Sequence, residues 1–357
     1  MKLGIIGGGQ LGQMLALAGI PLGIESTVLS RETNPPAAVC ARVVRNWEDL
    51  AGLELATYEL EHVPLAKAQA LAQQVPLYPP WRALKVSQDR LLEKNFLRSL
   101  NIPTAPYQSV TSLAELEAAL SHIPLPAILK SRQFGYDGHG QFRIQELAQT
   151  QEAWQAISAP AILEGRVNFE RELSIIAVRS RTGEMVFYPL IENRHQKGIL
   201  RVSFAPAPVA QALQNLAQSY AEQVLRALDY VGTITLELFQ VGEHLIANEI
   251  APRVHNSGHW TIEGARTSQF ENHLRAIASL PLGQTAPTGV SVMFNLIGGT
   301  PPVEKALSFP GAHLHLYGKE PRAGRKLGHL TLWAPEAGEL RQIFPRVQEL
   351  VANYAQG

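Results

Sequence analysis

The chain has 357 residues, and its 31 Lys and Arg balance its 31 Asp and Glu, so the formal net charge is zero. A neutral balance argues against a generally basic nucleic-acid binder and against a polybasic membrane anchor. Apolar residues make up 46% and charged residues 17%, which is typical of a globular protein and excludes wholesale disorder. Cys40 is the single cysteine, which excludes an intramolecular disulfide and a cysteine-cluster metal site.

The start of the chain has no apolar core of a signal peptide, because the first six residues lead directly into glycines. No run approaches the ~18 apolar residues of a membrane span. We therefore expect a cytoplasmic protein with no nucleic-acid and no membrane partner. The length predicts two to three domains at about 150 residues each.

The first 85 residues alternate short apolar runs with helical patterns, which predicts a parallel α/β sheet. We predict strands at residues 2–6, 26–29, 42–44 and 56–60, with helices at 11–18 and 65–74. The prolines of segment 76–80 mark a domain boundary. In the helix that follows, Ser87 is a candidate cap and Asp89 lies in the first turn, while Leu92, Phe96 and Leu100 predict one buried face.

The rest of the chain mixes strand and helix patterns. We predict a long helix over 213–228, a C-terminal helix interrupted at Pro345, and strands at 127–130, 186–191, 233–239, 244–250, 290–296, 313–317 and 329–333.

Two glycine-rich segments follow predicted strands. Gly7, Gly9 and Gly12 open a helix, and Glu32 stands twenty residues later, which is the pattern of a dinucleotide-binding turn. The motif alone fits NAD, another phosphorylated ligand, or a tight turn without a ligand. The second segment, 135–141, follows Lys130 and is typical of a phosphate-covering flap, although an exposed hairpin is the alternative.

Polar residues at three further places indicate a phosphate and metal site. Glu237 and Glu249 lie in two apolar strands of one predicted hairpin, so they can converge and hold Mg²⁺ if the pairing puts them on one face. The alternative is two solvent-facing glutamates. His195 lies in a polar cluster, 192–197, that is otherwise typical of a solvated turn. The basic loop 319–326 suits a phosphate monoester or is a charged surface hairpin.

Together these segments resemble the ATP-grasp superfamily and, within it, the 5-(carboxyamino)imidazole ribonucleotide synthases of purine biosynthesis. Segments 7–12, 57–63, 135–141, 248–259 and 317–329 carry the resemblance, which covers essentially the whole chain. The family implies a mixed α/β and α+β architecture. A Rossmann-like pre-ATP-grasp domain would span residues 1–85, an ATP-grasp domain 86–283, and a small β-rich C-terminal domain 284–357.

The resemblance also implies a homodimer and the site residues for ATP, Mg²⁺, bicarbonate and 5-aminoimidazole ribonucleotide. Glu237 and Glu249 would hold Mg²⁺, and Lys130, Asp137 and Arg253 would be catalytic. The residues implied for ATP are Arg90, Lys130, Gly135, Tyr136, Asp137, Gly138, His139, Gly140, Gln141, Glu164, Gly165, Arg166, Val167, Glu172, His195, Asn248 and Glu249. Those implied for the ribonucleotide are Gln10, Leu11, Glu59, Asn256, Lys319, Arg325 and Lys326.

The implied reaction joins bicarbonate to the amine of the ribonucleotide, with ATP converted to ADP and phosphate, and a mutase is a candidate recipient of the product. Position 139 is His where the family's flap often has Lys or Arg. One alternative is a related ATP-grasp enzyme such as the formate-dependent glycinamide ribonucleotide transformylase. An NAD-dependent dehydrogenase, supported by segment 7–12 and Glu32, and a non-enzymatic scaffold are the alternatives from other classes.

Overall fold

Three β-sheets organise the fold in the computed structural model, which describes residues 1–133, 140–157 and 160–355. The combination of one parallel and two antiparallel sheets with covering helices agrees with the mixed α/β and α+β class expected from the sequence. None of the helices within these ranges has both the length and the apolar character that a membrane crossing requires.

The N-terminal sheet is parallel, and its strands follow the spatial order β3-β2-β1-β4. Its central strand pairs on both sides, and Leu3 and Ile5 on it are fully buried. The strands are β1 (Lys2–Ile6), β2 (Glu25–Leu29), β3 (Arg42–Val44) and β4 (Leu55–Tyr58), and the first helices are α1 (Gln10–Gly19), α2 (Leu65–Ala72), α3 (Trp81–Ser87) and α4 (Arg90–Ser99). All four strands were predicted close to these bounds.

The second sheet is antiparallel and has the order β5-β8-β6-β7. One apolar cluster joins it to the two helices that cover it. The elements are β5 (Tyr107–Val110), α5 (Leu113–Leu120), β6 (Ala127–Ser131), β7 (Gln141–Ile144), α6 (Thr150–Ile157) and β8 (Ala161–Gly165).

The third sheet is antiparallel and contains nine strands in the order β14-β13-β9-β11-β12-β15-β17-β16, with β10 beside β9. Because β12 pairs with β15, this sheet runs through the domain boundary predicted at residue 284. The domain limits themselves stay a prediction. The strands are β9 (Arg171–Arg179), β10 (Met185–Phe187), β11 (Ile191–Gln196), β12 (Ile199–Ala205), β13 (Gly232–Val241), β14 (His244–Ala251), β15 (Val290–Ile297), β16 (Ala312–Leu316) and β17 (Lys326–Ala334).

The remaining helices pack on this sheet or close the chain. They are α7 (Gln211–Ala227), α8 (Thr261–Gly264), α9 (Gln269–Ile277), α10 (Val303–Leu307) and α11 (Ala337–Tyr354). The predicted interruption at Pro345 is wrong, because α11 continues through this residue. Leu340 before the proline and Val347 after it are both buried, so packing holds the helix on each side of the lost hydrogen bond.

Helix α4 differs from its prediction in both its cap and its buried face. Asp89 is the N-cap, and its carboxylate accepts hydrogen bonds from two backbone N–H groups of the first turn, whereas Ser87 ends α3. Leu92 is exposed, and the side chains buried instead include Glu93 and Lys94. The apolar spacing misled the prediction because this helix buries charged groups that have partners on other elements.

His273 on α9 connects the N-terminal sheet to the nine-stranded sheet. Its Nδ1 accepts the backbone N–H of Thr233 at 3.1 Å, so its Nε2 carries the proton that is shared with Thr57 Oγ1 at 2.8 Å. This pattern requires a neutral ring, and burial lowers the pKa of His273 to about 3. The unfolded chain therefore binds a proton at this residue near pH 6.5, while the folded chain does not.

We expect acid to destabilise the protein through this residue. The contribution of His273 is complete above pH 6.5 and falls as the pH drops towards 3, by about 2 kcal/mol between pH 7 and pH 5. Urea unfolding of the unaltered chain and of His273→Gln at both pH values measures it. The variant should be less stable at pH 7 and should lose less free energy of unfolding on acidification. An equal loss in both proteins would contradict the assignment.

Candidate active site

A β-bulge brings the two predicted metal ligands together. Near the turn of the β13–β14 hairpin, Leu238 pairs with Ala247, and the register then shifts so that Glu237 pairs with Glu249. Asn248 is the extra residue of the bulge. If the register near the turn continued without a bulge, Glu249 would lie opposite Leu236 and point to the apolar face. The bulge therefore puts both carboxylates on one face, directly opposite each other.

The electrostatics of this pair favour a bound cation. His255 Nε2 lies 3.2 Å from Glu237 Oε1, and this contact outweighs burial and lowers the pKa of Glu237. Burial and the charge of Glu237 raise the pKa of Glu249, although Arg90 lies 3.6 Å away. Mg²⁺ relieves such repulsion and takes one or two carboxylates with phosphate oxygens. Within the described ranges, no group of three or more His, Cys, Asp or Glu is placed to hold a metal.

Glu172 and His195 form a second polar pair on the same face. His195 Nδ1 lies 2.9 Å from Glu172 Oε2, and Glu172 pairs in register with Phe239, two residues from Glu237 on β13. Burial lowers the pKa of His195, but the hydrogen bond to Glu172 and the neighbouring carboxylates raise it overall. The polar segment that sequence patterns fitted to a solvated turn forms strand β11 instead.

Lys130 is held by a buried network of ion pairs. Its Nζ lies 2.9 Å from Glu164 Oε2, and Lys94 Nζ approaches the same oxygen at 3.5 Å. Burial lowers the pKa of Lys130, whereas the two lysines outweigh burial at Glu164 and lower its pKa to about 2. The carboxylate of Glu164, implied for the nucleotide, is thus the counter-ion of Lys130.

The segment implied for adenine connects the second sheet to the third. β8 ends at Gly165, whose N–H donates to Pro106 O at 2.8 Å, and the N–H of Arg166 donates to Pro126 O at 3.2 Å. Val167 follows and is partly buried. These bonds fix the course of the connection just before β9 begins.

The predicted flap is described only at its end. Gly140 accepts a hydrogen bond from the N–H of Ser131 at 2.8 Å, and Gln141 begins β7. The positions that lie outside the described residues are Gly135, Tyr136, Asp137, Gly138 and His139.

The N-terminal glycine loop binds a carboxylate of the chain itself. The N–H of Gly9 donates to Glu59 Oε1 at 2.5 Å, and burial raises the pKa of this carboxyl although the backbone N–H groups of Gly9 and Gly12 lower it. A Cβ on Gly7 would approach Glu59 Cγ within 2.5 Å, which explains why glycine is needed there. A carboxylate of the chain therefore lies where the glycine loop would bind a dinucleotide pyrophosphate and takes the Gly9 donor, which argues against NAD at this turn.

The basic C-terminal loop faces the same N-terminal segment. Lys319 Nζ donates to Gln10 Oε1 at 2.5 Å, next to the buried Leu11 on α1. Burial and the charge of Arg325 lower the pKa of Lys319. Arg325 donates to a backbone carbonyl of its own loop at 3.3 Å, and Lys326 begins β17. Lys319 thus links this loop to the start of α1.

Arg253 and Asn256 follow β14 and differ in whether their polar groups have hydrogen-bond partners. Arg253 donates to Glu61 Oε1 at 2.6 Å and to the carbonyl of Val254 at 2.8 Å. The amide of Asn256 is buried, and neither its oxygen nor its nitrogen has a hydrogen-bond partner among the described residues. An unpaired buried amide is costly, and a polar ligand group would offset that cost.

Several charged residues around the site were not identified from the sequence. Glu61 pairs with Arg253, and the Arg132 guanidinium binds both carboxylate oxygens of Asp89, at 3.0 and 2.6 Å. Lys94 also lies in this network. The sequence contains one signal that could have identified such residues, namely charged residues inside an otherwise apolar helix pattern. An exposed helix does not need partners for its charged residues, whereas a buried helix does.

Family models match three consecutive parts of the chain. The ribonucleotide synthetase preATP-grasp domain matches residues 1–88, the ATP-grasp domain residues 95–270, and the phosphoribosylaminoimidazole carboxylase C-terminal domain residues 291–343. These matches confirm the expected succession of domain types.

Full-length relatives give the same result. The N5-carboxyaminoimidazole ribonucleotide synthase of Pseudomonas aeruginosa is 48% identical, with 98% of this chain and 99% of the relative covered. The crystal structure of the synthetase from Thermus thermophilus is 51% identical, with a TM-score of 0.94 and 98% of each chain covered. That of the Aspergillus clavatus synthase in complex with ADP and 5-aminoimidazole ribonucleotide is 32% identical, with a TM-score of 0.91 and 98% of each chain covered.

A dehydrogenase or a scaffold would not be expected to share its whole length and fold with these ligases. The succession of domains, the paired carboxylates and the full-length similarity agree with one another. The chain belongs to the N5-carboxyaminoimidazole ribonucleotide synthase family of the ATP-grasp superfamily.

Proposed function

We propose that this chain is an ATP-dependent ligase that carboxylates 5-aminoimidazole ribonucleotide with bicarbonate, in de novo purine biosynthesis. The observation that carries the proposal is the bulge that sets Glu237 opposite Glu249 on the face that also holds Glu172 and His195. A similar chain from Aspergillus clavatus binds ADP and 5-aminoimidazole ribonucleotide in its crystal structure.

The nucleotide would lie between the second and third sheets. Glu237 and Glu249 would hold Mg²⁺, which when bound neutralises the charge of the phosphates. Lys130, kept in place by Glu164, would bind a phosphate, and Arg90 would do so from the start of α4. Such preformed charge stabilises the transferring phosphoryl group, whose negative charge spreads over its oxygens.

Bicarbonate is a poor electrophile, so it would first attack the γ-phosphorus of ATP through an oxygen, which releases ADP and forms carboxyphosphate. Arg253 would hold bicarbonate, and exchanging its partner Glu61 for this anion would keep the guanidinium paired. The amine of the ribonucleotide then forms a bond to the carbonyl carbon, or to the CO₂ released, as phosphate leaves and the amine loses a proton. Asp137 on the flap would orient the amine or accept that proton.

The ribonucleotide would be held from both ends of the chain. Lys319, Arg325 and Lys326 would bind its phosphate, and Gln10 already touches Lys319 at 2.5 Å. Asn256 would use its unpaired buried amide to face the substrate from the middle of the chain. Leu11 and Glu59 would contribute to the same ribonucleotide site, and the glycine loop would not bind NAD.

We further propose that the enzyme binds small-molecule substrates but neither nucleic acid nor a membrane, that it works in the cytoplasm as a homodimer, and that a mutase receives the product. These points rest on the resemblance to the family. Light scattering of the purified chain tests the homodimer: a mass of two chains is expected, and a mass of one chain would contradict it.

Release of ADP with different acceptors tests the function. Turnover is expected with 5-aminoimidazole ribonucleotide and bicarbonate. Turnover with glycinamide ribonucleotide and formate instead would support an ATP-grasp ligase but would contradict the assignment of 5-aminoimidazole ribonucleotide and bicarbonate as its substrates.

A further inference from the structure

The bulge in β14 exposes backbone groups that β13 does not bind. β14 is the edge strand of the nine-stranded sheet, so its outer side faces other elements. A bulge residue leaves the ladder locally unpaired, and buried backbone groups need partners. The outer side is covered near its middle by residues 103–104, where the N–H of Ala247 donates to Pro103 O at 2.7 Å.

Two consecutive residues of α4 bind the backbone on either side of Glu249. Lys94 Nζ donates to the carbonyl of Asn248 at 3.0 Å, and the N–H of Ile250 donates to Glu93 Oε1 at 2.7 Å. Both α4 side chains are almost fully buried. The α4 contacts therefore satisfy the groups that flank the metal ligand, on the side of β14 away from β13.

We propose that Glu93 and Lys94 are positioning residues that hold the Asn248 bulge and thereby keep Glu249 opposite Glu237. The inference deepens the proposed function, on which it rests for the assignment of the two glutamates as Mg²⁺ ligands. Neither Glu93 nor Lys94 needs to touch the metal or a substrate for this role.

The alternative to the bulge shows why such a device is needed. If Asn248 paired with Glu237 in an unbulged ladder, Glu249 would lie opposite Leu236, which is fully buried in an apolar cluster, where a carboxylate is costly. The bulged register places Ile250 opposite Leu236 instead, and both belong to that cluster. The α4 contacts and the apolar packing thus favour the same register.

The same lysine links the bulge to the nucleotide side of the site. Lys94 Nζ lies 3.5 Å from Glu164 Oε2, which is also bound by Lys130 at 2.9 Å. One ammonium group therefore joins the strand that carries Glu249 to the strand that carries Glu164. Lys94 therefore contributes to the positions of both Lys130, which would bind a phosphate, and Glu249, which would bind Mg²⁺.

Binding of Mn²⁺, as a probe for the Mg²⁺ site, to the ADP complex tests this inference without the ribonucleotide. Electron paramagnetic resonance gives the Mn²⁺ dissociation constant, and hydrogen exchange reports on residues 244–251. Glu93→Leu and Lys94→Met should each weaken Mn²⁺ binding by about ten- to hundredfold and speed exchange at Ile250. Glu93→Gln keeps an oxygen acceptor at the same reach, so it should bind Mn²⁺ nearly as the unaltered chain does.

A control separates this effect from the general loss of a carboxylate. Glu117→Leu removes a carboxylate from the exposed side of α5 and should change neither measurement. If Glu93→Leu does not fold, Glu93→Asp takes its place, because it keeps the carboxyl group but shortens the reach by one methylene group. Unchanged Mn²⁺ affinity and exchange in the Lys94 variant and in the Glu93 variant that folds would overturn the proposal. So would a loss in Glu93→Gln as large as in Glu93→Leu.

Failure of the proposed function gives a different result. An enzyme that does not use 5-aminoimidazole ribonucleotide would still show the Mn²⁺ effect if the bulge is held as we infer. Conversely, normal carboxylation with variants that bind Mn²⁺ normally would leave the function intact and remove the positioning role.

Discussion

Glu249→Gln is expected to lower Mg²⁺-dependent ATP turnover by about 10²–10³-fold, because it removes one of two carboxylates that would hold the metal at the transferring phosphate. The substitution keeps the size of the side chain and the bulged register. Glu237→Gln should have an effect of similar size, and it should remove the negative charge beside His255 while keeping an oxygen acceptor there. Steady-state release of ADP at several Mg²⁺ concentrations measures both.

Glu249→Gln should lower activity without lowering the stability of the protein. Burial and the charge of Glu237 raise the pKa of Glu249, so the folded chain bears the cost of two facing carboxylates when no cation is bound. Removing one charge should leave the free energy of unfolding without Mg²⁺ unchanged or increase it. Glu243→Gln, at the exposed turn of the same hairpin, is the matched control and should retain full activity. A destabilised Glu249→Gln variant with normal turnover would reverse the assignment from a functional to a structural role.

Lys319→Ala should weaken binding of the ribonucleotide. A charge-assisted hydrogen bond to a phosphate contributes about 1.5–3 kcal/mol, so KM for the ribonucleotide should rise by about ten- to hundredfold. KM for ATP should stay nearly constant, since Lys319 lies beside Gln10 rather than in the nucleotide network. Initial rates with one substrate varied at a time separate the two constants.

The matched control for this variant is Lys305→Ala, on the exposed side of α10. It removes the same charge from the C-terminal part of the chain and should change neither KM. Equal increases in both KM values for Lys319→Ala would mean that the lysine supports the whole site, and the phosphate assignment would fail.

The sequence predicted most strands because their apolar patterns are local. The four strands of the parallel sheet and the β13–β14 hairpin lie within a few residues of their predicted bounds. Helix α4 was an exception, since the buried side chains of Glu93 and Lys94 have partners more than 60 residues away in the chain. Spacing of apolar residues contains no information about such partners.

The pairing of Glu237 and Glu249 was also predicted only in part, because it depends on contacts outside the hairpin. Apolar strands with a glutamate in each predicted converging carboxylates, but the pairing that makes them face each other was left open. The bulge at Asn248 decides it, and the bulge is bound by a separate helix. A hairpin sequence alone therefore does not determine this register.

The glycine loop shows how one local pattern fits two outcomes. Its spacing fits a dinucleotide site, and only the folded chain reveals that Glu59 accepts the hydrogen bond of the Gly9 N–H at this turn. Glu59 lies after β4, which is parallel to β1 and adjacent to it in the sheet. The order of the strands in the sheet places Glu59 at this turn, and the glycine motif contains no information about that order.

Release of ADP from Mg·ATP, with 5-aminoimidazole ribonucleotide and bicarbonate omitted in turn, is the most direct test of the central claim. We predict rapid ADP release only when both are present, with ¹³C from labelled bicarbonate appearing on the amine of the ribonucleotide. The Glu249→Gln variant under the same conditions shows whether the release uses this site. Equal ADP release in the absence of the ribonucleotide or of bicarbonate, or no label in the product, would contradict the account.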